Sequence, residues 1–290
     1  MKNTNLILAI IINIFITIFE VVVGFFIGSL ALISDALHNF SDVGSMGLSL
    51  WGEKVKIKKA TSSKTYGYKR AEIVIALFNA LILLAVVIFI FFESIKRLIS
   101  PTELVSGYMI IVALISLIGN GVATYLLEKN AHKNLNLKSA WMHSLQDALF
   151  SLGVVIGAVV IYYTHWFIID PLLSIFLSIY ICKEVYELIK QTVNILMESV
   201  PEDIDFNEVK NVLSSFDVVK GVDDLHIWQT DSNTRLLSAH LIIDDIDNQK
   251  RNDLLCKIQK SLNDNFKINH ATIQMVLAEE KLNLNCVHCN

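Results

Sequence analysis

The sequence predicts a membrane all-α domain of six transmembrane helices, followed by a C-terminal α+β domain, and its composition is the first reason. The 290 residues are 53% hydrophobic and 18% charged, with a mean hydropathy of +0.52. Soluble proteins contain about 25% charged residues. Long uncharged runs lie only in the first 200 residues, which carry a net charge of +2, whereas residues 201–290 carry −6. We therefore predict a transmembrane domain at 1–200 and a cytoplasmic domain at 201–290.

Six stretches of the first domain approach the roughly 20 apolar residues that a helix needs to cross a bilayer. They are 6–28, 30–52, 73–95, 105–127, 140–163 and 168–189. The first is too long for the apolar core of a signal peptide and lacks a small-residue cleavage pattern, so we expect it to remain as a helix. The three prolines, Pro101, Pro171 and Pro201, fall at the edges of these stretches, as expected for a residue that breaks helix interiors.

The basic residues between the spans predict the orientation. Seven lysines and arginines follow span two and three lysines follow span four, whereas of the opposite loops only the one after span three has basic residues. The positive-inside rule then places both termini in the cytoplasm. Richness in Lys, Asn and Ile is typical of a bacterial protein, which indicates the inner membrane.

Two of the spans contain the same pattern, His-x-x-x-Asp. Span two has His38 and Asp42, and span five has His143 and Asp147. Residues four apart share a helix face, and ionisable groups at membrane depth are functional candidates because they cost several kcal/mol. Facing each other, the two spans offer two nitrogen and two oxygen ligands, which suits a tetrahedral divalent metal, zinc first. The alternative is that each pair only hydrogen-bonds within the bundle.

Four more polar residues lie in the spans: Glu20, Asp35, Asn39 and Asn120. They either line a cavity that leads to the metal site or hydrogen-bond neighbouring helices.

Neither motif span contains His-Glu-x-x-His, so no glutamate stands as a general base beside paired histidines. We therefore expect a protein that is not an enzyme.

The second domain predicts the order αββαβ. Helical spacing covers 204–216 and 248–266, and strand patterns cover 218–229, 235–243 and 271–277. We expect antiparallel strands with both helices on one face of the sheet. About 90 residues are enough for a core of their own.

This domain has its own candidate metal ligands. His226 and His240 lie on adjacent predicted strands, His270 precedes the third, and Cys286 and Cys289 form a Cys-x-x-Cys near the C-terminus. Such a pair is a common half of a zinc site. The rest would come from histidines of this chain or of a partner chain. The alternatives are a redox-active tail and histidines that merely lie on the surface.

With these residues in hand, the chain resembles the cation diffusion facilitator family, in the branch of zinc/cadmium/cobalt efflux transporters. The resemblance runs from about residue 13 to residue 289. Its main motifs are Ser34-Asp35-Ala36-Leu37-His38 with Asp42, Tyr66-Gly67-Tyr68-Lys69-Arg70-Ala71-Glu72, His143 with Asp147, Asp224-Leu225-His226-Ile227-Trp228 and Ser238-Ala239-His240.

The resemblance implies a homodimer with six spans per subunit and a metallochaperone-like cytoplasmic domain. It implies export of a divalent cation in exchange for protons by alternating access. Carried onto this sequence, the transport site is His38, Asp42, His143 and Asp147. The cytoplasmic metal sites would use His226, His240, His270, Cys286 and Cys289. Arg70 and Glu198 match a charge interlock near the membrane surface.

The ligand chemistry fits this function. Zinc binds neutral imidazole and ionised carboxylate, so that binding releases protons and protonation expels the metal. The apolar stretches predict the bilayer as a partner, and the resemblance implies protons and a second copy of the chain. A pI of about 6.1 argues against nucleic acid. The alternative function is a membrane metal sensor, which binds zinc through its cytoplasmic tail and transports nothing.

Overall fold

The computed structural model of the protein describes residues 4–56, 60–131 and 135–277. Some side chains within these helices, those of Asp42 and His143 among them, lie outside the described residues, as do Cys286 and Cys289. The described elements are eight helices and three strands.

Six helices of 24 to 30 residues precede residue 200, where the sequence predicts six. They are α1 (Thr4–Ile27), α2 (Leu30–Lys56), α3 (Ala71–Ile99), α4 (Ser106–Ala131), α5 (Leu135–Thr164) and α6 (Ile169–Leu196). Helix α5 begins five residues before the predicted span, and α6 ends seven residues after it. Both extensions mix polar and apolar residues, and among them Leu, Lys and Gln continue a helix readily where an apolar run has ended.

The outer surface of these helices is apolar. Phe26 of α1 is 82% exposed and Phe89 of α3 is 69% exposed, which soluble proteins avoid over large areas. By length and composition, three helices of the described residues can cross a membrane: Ala71–Ile99, Ser106–Leu126 and Ser144–Thr164. A shorter apolar helix covers Ile11–Ile27. The predicted membrane helical domain is confirmed, and the number of spans stays a prediction.

The chain divides into two compact units. The first comprises Met1–Trp51 and Ala76–Ile189, and the second comprises Gly52–Ile75 and Lys190–Asn290. The segment that precedes α3 therefore groups with the C-terminal residues.

Close helix packing builds the first unit. Helix α4 packs against both α1 and α5. A Cβ at Gly119 of α4 would lie 2.3 Å from Ile16 of α1, and one at Gly157 of α5 would lie 2.3 Å from Leu173 of α6. Glycine at both positions lets helices approach closely, as small residues do in membrane bundles.

A carboxylate from another helix caps the start of α2. Asp170, in the first turn of α6, accepts hydrogen bonds from Ser29 Oγ at 2.6 Å and from the backbone N–H groups of Leu30 at 2.9 Å and Ala31 at 3.2 Å. All four residues are buried. The first N–H groups of a helix have no partner inside it, so Asp170 satisfies donors that the apolar surroundings would leave unpaired.

The second unit confirms the order αββαβ. Its elements are α7 (Phe206–Ser214), β1 (Val219–Gln229), β2 (Arg235–Ile243), α8 (Asn248–Phe266) and β3 (Ile268–Leu277). Strand β1 pairs with β2 antiparallel, as predicted, but β3 pairs with β2 in parallel, so the antiparallel prediction is wrong for β3. Helix α8 carries the chain from the end of β2 back to its beginning, and such a crossover connects parallel strands.

One face of the sheet holds the core of this unit. Alternate residues of β2 from Leu237 to Ile243 pack with Leu254, Ile258 and Leu262 of α8 and with Val209 and Leu213 of α7. Both helices therefore cover the same face. The intervening β2 residues, Ser238 and His240 among them, lie on the opposite face, because side chains alternate along a strand.

Candidate metal centre

His38 and Asp147 meet inside the first unit. His38 Nε2 of α2 lies 3.2 Å from Asp147 Oδ1 of α5, and each residue is 1% exposed. The two are 109 positions apart in the chain. One candidate ligand from each His-x-x-x-Asp motif thus lies at the same buried position.

Positions 42 and 143 lie on the same two helices, four residues from His38 and Asp147 respectively. The side chains of Asp42 and His143 fall outside the described residues.

Two aromatic rings hold the imidazole of His38. Phe150 of α5 lies 5.4 Å from the His38 ring centroid, and Tyr180 of α6 lies 5.8 Å from it, both at nearly perpendicular angles. Phe150 and Tyr180 also contact each other, with centroids 4.8 Å apart. Edge-to-face contacts of this kind are favourable, and together they restrict rotation of the ring.

Sequence reasoning missed a third ionisable residue at this position. Oε2 of Glu184, on α6, lies 3.3 Å from His38 Nδ1, an ion-pair distance at which the two groups are not aligned as a hydrogen bond. The Glu184 side chain is 37% exposed. A carboxylate near the end of the apolar stretch 168–189 was the available signal, because acidic residues are rare in spans.

The other polar residues of the spans form a buried hydrogen-bond network. Asn39 Nδ2 donates to Glu20 Oε2 at 3.1 Å, Asn120 Nδ2 donates to Ser151 Oγ at 2.9 Å, and Ser151 Oγ donates to Asp35 Oδ2 at 3.2 Å. All five are at most 1% exposed. Of the two interpretations drawn from the sequence, this geometry favours hydrogen bonding between helices.

Two histidines of the C-terminal α+β domain (the tail, residues 201–290) lie near one carboxylate. Asp224 Oδ1 lies 2.9 Å from His226 Nε2, and Asp224 Oδ2 lies 3.9 Å from His240 Nε2. Asp224 has φ 51° and sits where the β1–β2 register shifts between Asp223 and His226. Such bulges redirect a side chain, and here the bulge orients Asp224 toward both rings.

His270 lies apart from this pair. It is exposed at the start of β3, in register with Leu236 of β2. Leu236 and His240 are four residues apart on one strand, which corresponds to about 13 Å. Within one chain, therefore, the sheet brings together His226 and His240 but not His270, and Cys286 and Cys289 lie outside the described residues.

Arg70 and Glu198 are in contact in the second unit. Arg70 Nη2 donates to Glu198 Oε1 at 2.6 Å, and the side chains are 41% and 60% exposed. Glu198 has φ 59° just after the end of α6. On either side of Arg70, Lys69 Nζ donates to Thr234 Oγ1 at 3.3 Å, and Glu72 Oε1 accepts from Ser232 Oγ at 3.1 Å.

The chemistry of these donors suits divalent transition metals. Imidazole and carboxylate are zinc ligands, and both meet at His38–Asp147 and at Asp224–His226–His240. Among the residues that the structure describes, no group of three or more His, Cys, Asp and Glu side chains is arranged so that it could hold a metal ion. At the His38 position, the two carboxylates approach opposite nitrogens of the ring.

Two family models match this chain. The cation efflux transmembrane domain matches residues 6–197, and the cytoplasmic domain of cation efflux proteins matches residues 201–276. Together they cover most of the sequence.

Curated relatives match over most of their length. The chain is 36% identical over 259 residues to the metal cation efflux system protein CzcD of Cupriavidus metallidurans, covering 89% of this chain and 82% of the relative. It is 34% identical over 261 residues to a cadmium, cobalt and zinc/H(+)-K(+) antiporter of Bacillus subtilis, with 89% and 84% covered. It is 34% identical over 258 residues to the zinc transporter ZitB of Escherichia coli, with 88% and 82% covered.

Proposed function

The chain belongs to the cation efflux family, and on that premise we propose that it exports a divalent metal cation from the cytoplasm in exchange for protons. Zinc is the first candidate, with cadmium and cobalt next. The names of the relatives support this choice, because they include zinc, cadmium and cobalt transport and a proton-coupled antiporter.

The observation that carries the proposal is the buried contact of His38 with Asp147. It joins α2 and α5, the two helices with the His-x-x-x-Asp motif. In a six-span topology these helices run in opposite directions, so positions 42 and 143 are each about one turn, about 6 Å, nearer the cytoplasm. We assign His38, Asp42, His143 and Asp147 as the four ligands of the transported ion.

This ligand set couples metal to protons. A divalent ion needs the imidazoles neutral and the carboxylates ionised, so loading from the cytoplasm releases protons. Exposure of the site to a more acidic compartment protonates the ligands, and the metal leaves. Histidine has an ordinary pKa near 6.5, which suits it to this exchange. Transport breaks only the coordination bonds between the ion and its ligands, and it requires no enzymatic step.

The tail is proposed as a regulatory metal-binding and dimerisation domain. Asp224, His226 and His240 offer two imidazoles and one carboxylate on the open face of the sheet. With His270, Cys286 and Cys289, or with a second subunit, they would complete zinc sites. The same proposal includes a domain division at 1–200 and 201–290 and a homodimer. It also includes six spans per subunit in a bacterial inner membrane, with both termini in the cytoplasm.

Proton-coupled flux distinguishes export from a sensor that binds metal without transport. We expect the purified chain in liposomes to accumulate zinc when the proton gradient runs in the opposite direction, from the lumen to the outside. His38→Ala and Asp147→Ala should each lower the rate of zinc transport at least 100-fold. The matched control is His165→Ala, an exposed histidine at the end of α5, for which we expect an unchanged rate. Wild-type transport by either site variant would contradict the ligand assignment, and absence of flux in the unmutated chain would favour the sensor.

A further inference from the structure

We propose that Glu184 is a positioning residue of the metal-transport site, which holds the His38 imidazole by its Nδ1 so that Nε2 faces the ion. This inference rests on the proposed function. It concerns a residue of α6, whereas the two motifs lie on α2 and α5.

The carboxylates of Asp147 and Glu184 lie on different sides of the His38 ring, which gives them different roles. Asp147 Oδ1 is on the Nε2 side of the ring at 3.2 Å, and Glu184 Oε2 is on the Nδ1 side at 3.3 Å. An imidazole presents these nitrogens in diverging directions, so one ion cannot be bound by Nε2 and also by the carboxylate at Nδ1. Glu184 is therefore placed to act on the ring and not on the ion that Asp147 shares.

Metal binding itself calls for such a group. Nε2 can bind an ion only through its lone pair, which leaves the proton of the neutral ring on Nδ1. A histidine that binds metal almost always donates its other N–H to a carboxylate, a carbonyl or water, which fixes the tautomer and the ring orientation. Among the groups described here, Glu184 is the carboxylate on that side of His38.

The surroundings support a fixed arrangement of Glu184. Tyr180 lies one turn before it on α6, packs edge-on against the His38 ring and is within hydrogen-bonding reach of Glu184. Gln146, the neighbour of Asp147 on α5, donates to the Tyr180 hydroxyl. A chain of polar contacts thus connects α5 with the carboxylate of α6.

The test compares Glu184→Ala and Glu184→Gln with Glu187→Ala, a variant of an exposed glutamate on the same helix. Zinc-dependent transport by the full chain in liposomes gives KM and kcat. Loss of a carboxylate that orients a ligand costs about 10–100-fold in metal affinity, so we expect KM for zinc to rise at least tenfold in Glu184→Ala. Glu184→Gln retains a carbonyl acceptor and should rise less. Glu187→Ala should stay within twofold.

A second measurement checks binding without transport. Zinc affinity is measured by competition with a chromophoric chelator in a background that lacks the tail donors (H226A, H240A, H270A, C286S and C289S). We expect the same order of affinity, unmutated above Glu184→Gln above Glu184→Ala. Elution of each variant as a single species confirms that it is folded, and Glu184→Gln keeps the test decisive if Glu184→Ala does not fold.

The outcomes separate this inference from the function on which it rests. If His38→Ala abolishes transport while both Glu184 variants keep the unmutated KM and affinity, the positioning role is wrong and the transport site stands. If KM is unchanged and only kcat or stability falls, Glu184 is merely structural, and the inference is again wrong. If His38→Ala transports normally, the site assignment itself fails.

Discussion

His38 makes contacts with most of the other residues of this site. Its ring contacts Asp147 at one nitrogen, Glu184 at the other, and Phe150 and Tyr180 edge-on. Three helices therefore fix the position of one imidazole that is 1% exposed. In the proposed transport site, this nitrogen donor also favours zinc, cadmium and cobalt over manganese, since sites made only of oxygen suit the harder ions.

A prediction at this scale concerns selectivity. His38→Asp replaces one of the two proposed nitrogen ligands by oxygen, so we expect the preference for zinc over manganese to fall by about tenfold or more. Competition between the two metals in liposome uptake measures this ratio. Asp253→Asn, an exposed residue of α8, is the control. An unchanged ratio would mean that His38 does not contact the transported ion.

At the scale of elements, Asp170 shows how the helices of the bundle depend on each other. Helix α2 carries His38, and its first turn is capped by a carboxylate from α6, which lies 140 positions away. A residue that begins one helix thus satisfies the free N–H groups of another. Since α6 also carries Tyr180 and Glu184, the cap helps to fix α2 against the helix that positions its histidine.

We predict that Asp170→Ala destabilises the protein. It leaves a buried hydroxyl and two buried N–H groups without their acceptor, and each such group costs about 1–3 kcal/mol. The total is about 3 kcal/mol if the turn relaxes in part, which corresponds to an apparent melting temperature roughly 5–10 °C lower for a chain of this size. Thermal unfolding in detergent measures the shift, with Asp253→Ala as the exposed control. A shift below 2 °C would contradict the capping role.

At the scale of the whole molecule, the Arg70–Glu198 ion pair joins two distant parts of the chain within the second unit. Arg70 precedes α3 and Glu198 follows α6, and these two helices carry the chain between the units. Both side chains are substantially exposed, and exposed ion pairs contribute about 0–1 kcal/mol to stability. We therefore expect this pair to affect transport and not the stability of the fold.

We predict that opposite charges at positions 70 and 198 support transport. Arg70→Glu and Glu198→Arg each place like charges together, so we expect each to lower the zinc transport rate severalfold with a melting temperature within about 2 °C of the unmutated chain. The double variant restores an attractive pair and should recover much of the rate. Lys220→Glu reverses a similarly exposed pair with Asp244 and serves as control. A double variant no better than either single one would contradict the interlock.

Local signals made much of this fold predictable. Apolar stretches of about 20 residues mark helices α1 to α6, because a bilayer requires that apolar length. Alternating patterns mark β1 and β2, because only one face of each strand is turned to the core. The direction of β3 was not predictable in this way. It depends on the path of α8 across the sheet, and no pattern within β3 records that path.

The same distinction applies to the site. The sequence determined that His38, Asp42, His143 and Asp147 are candidate ligands, because a repeated spacing of four puts each pair on one helix face. Only the tertiary structure decided that His38 meets Asp147, that Glu184 approaches its other nitrogen, and that Asp224 lies between two tail histidines while His270 lies apart. Spacing along a helix or strand is fixed by backbone geometry, whereas contacts between distant elements depend on how those elements pack.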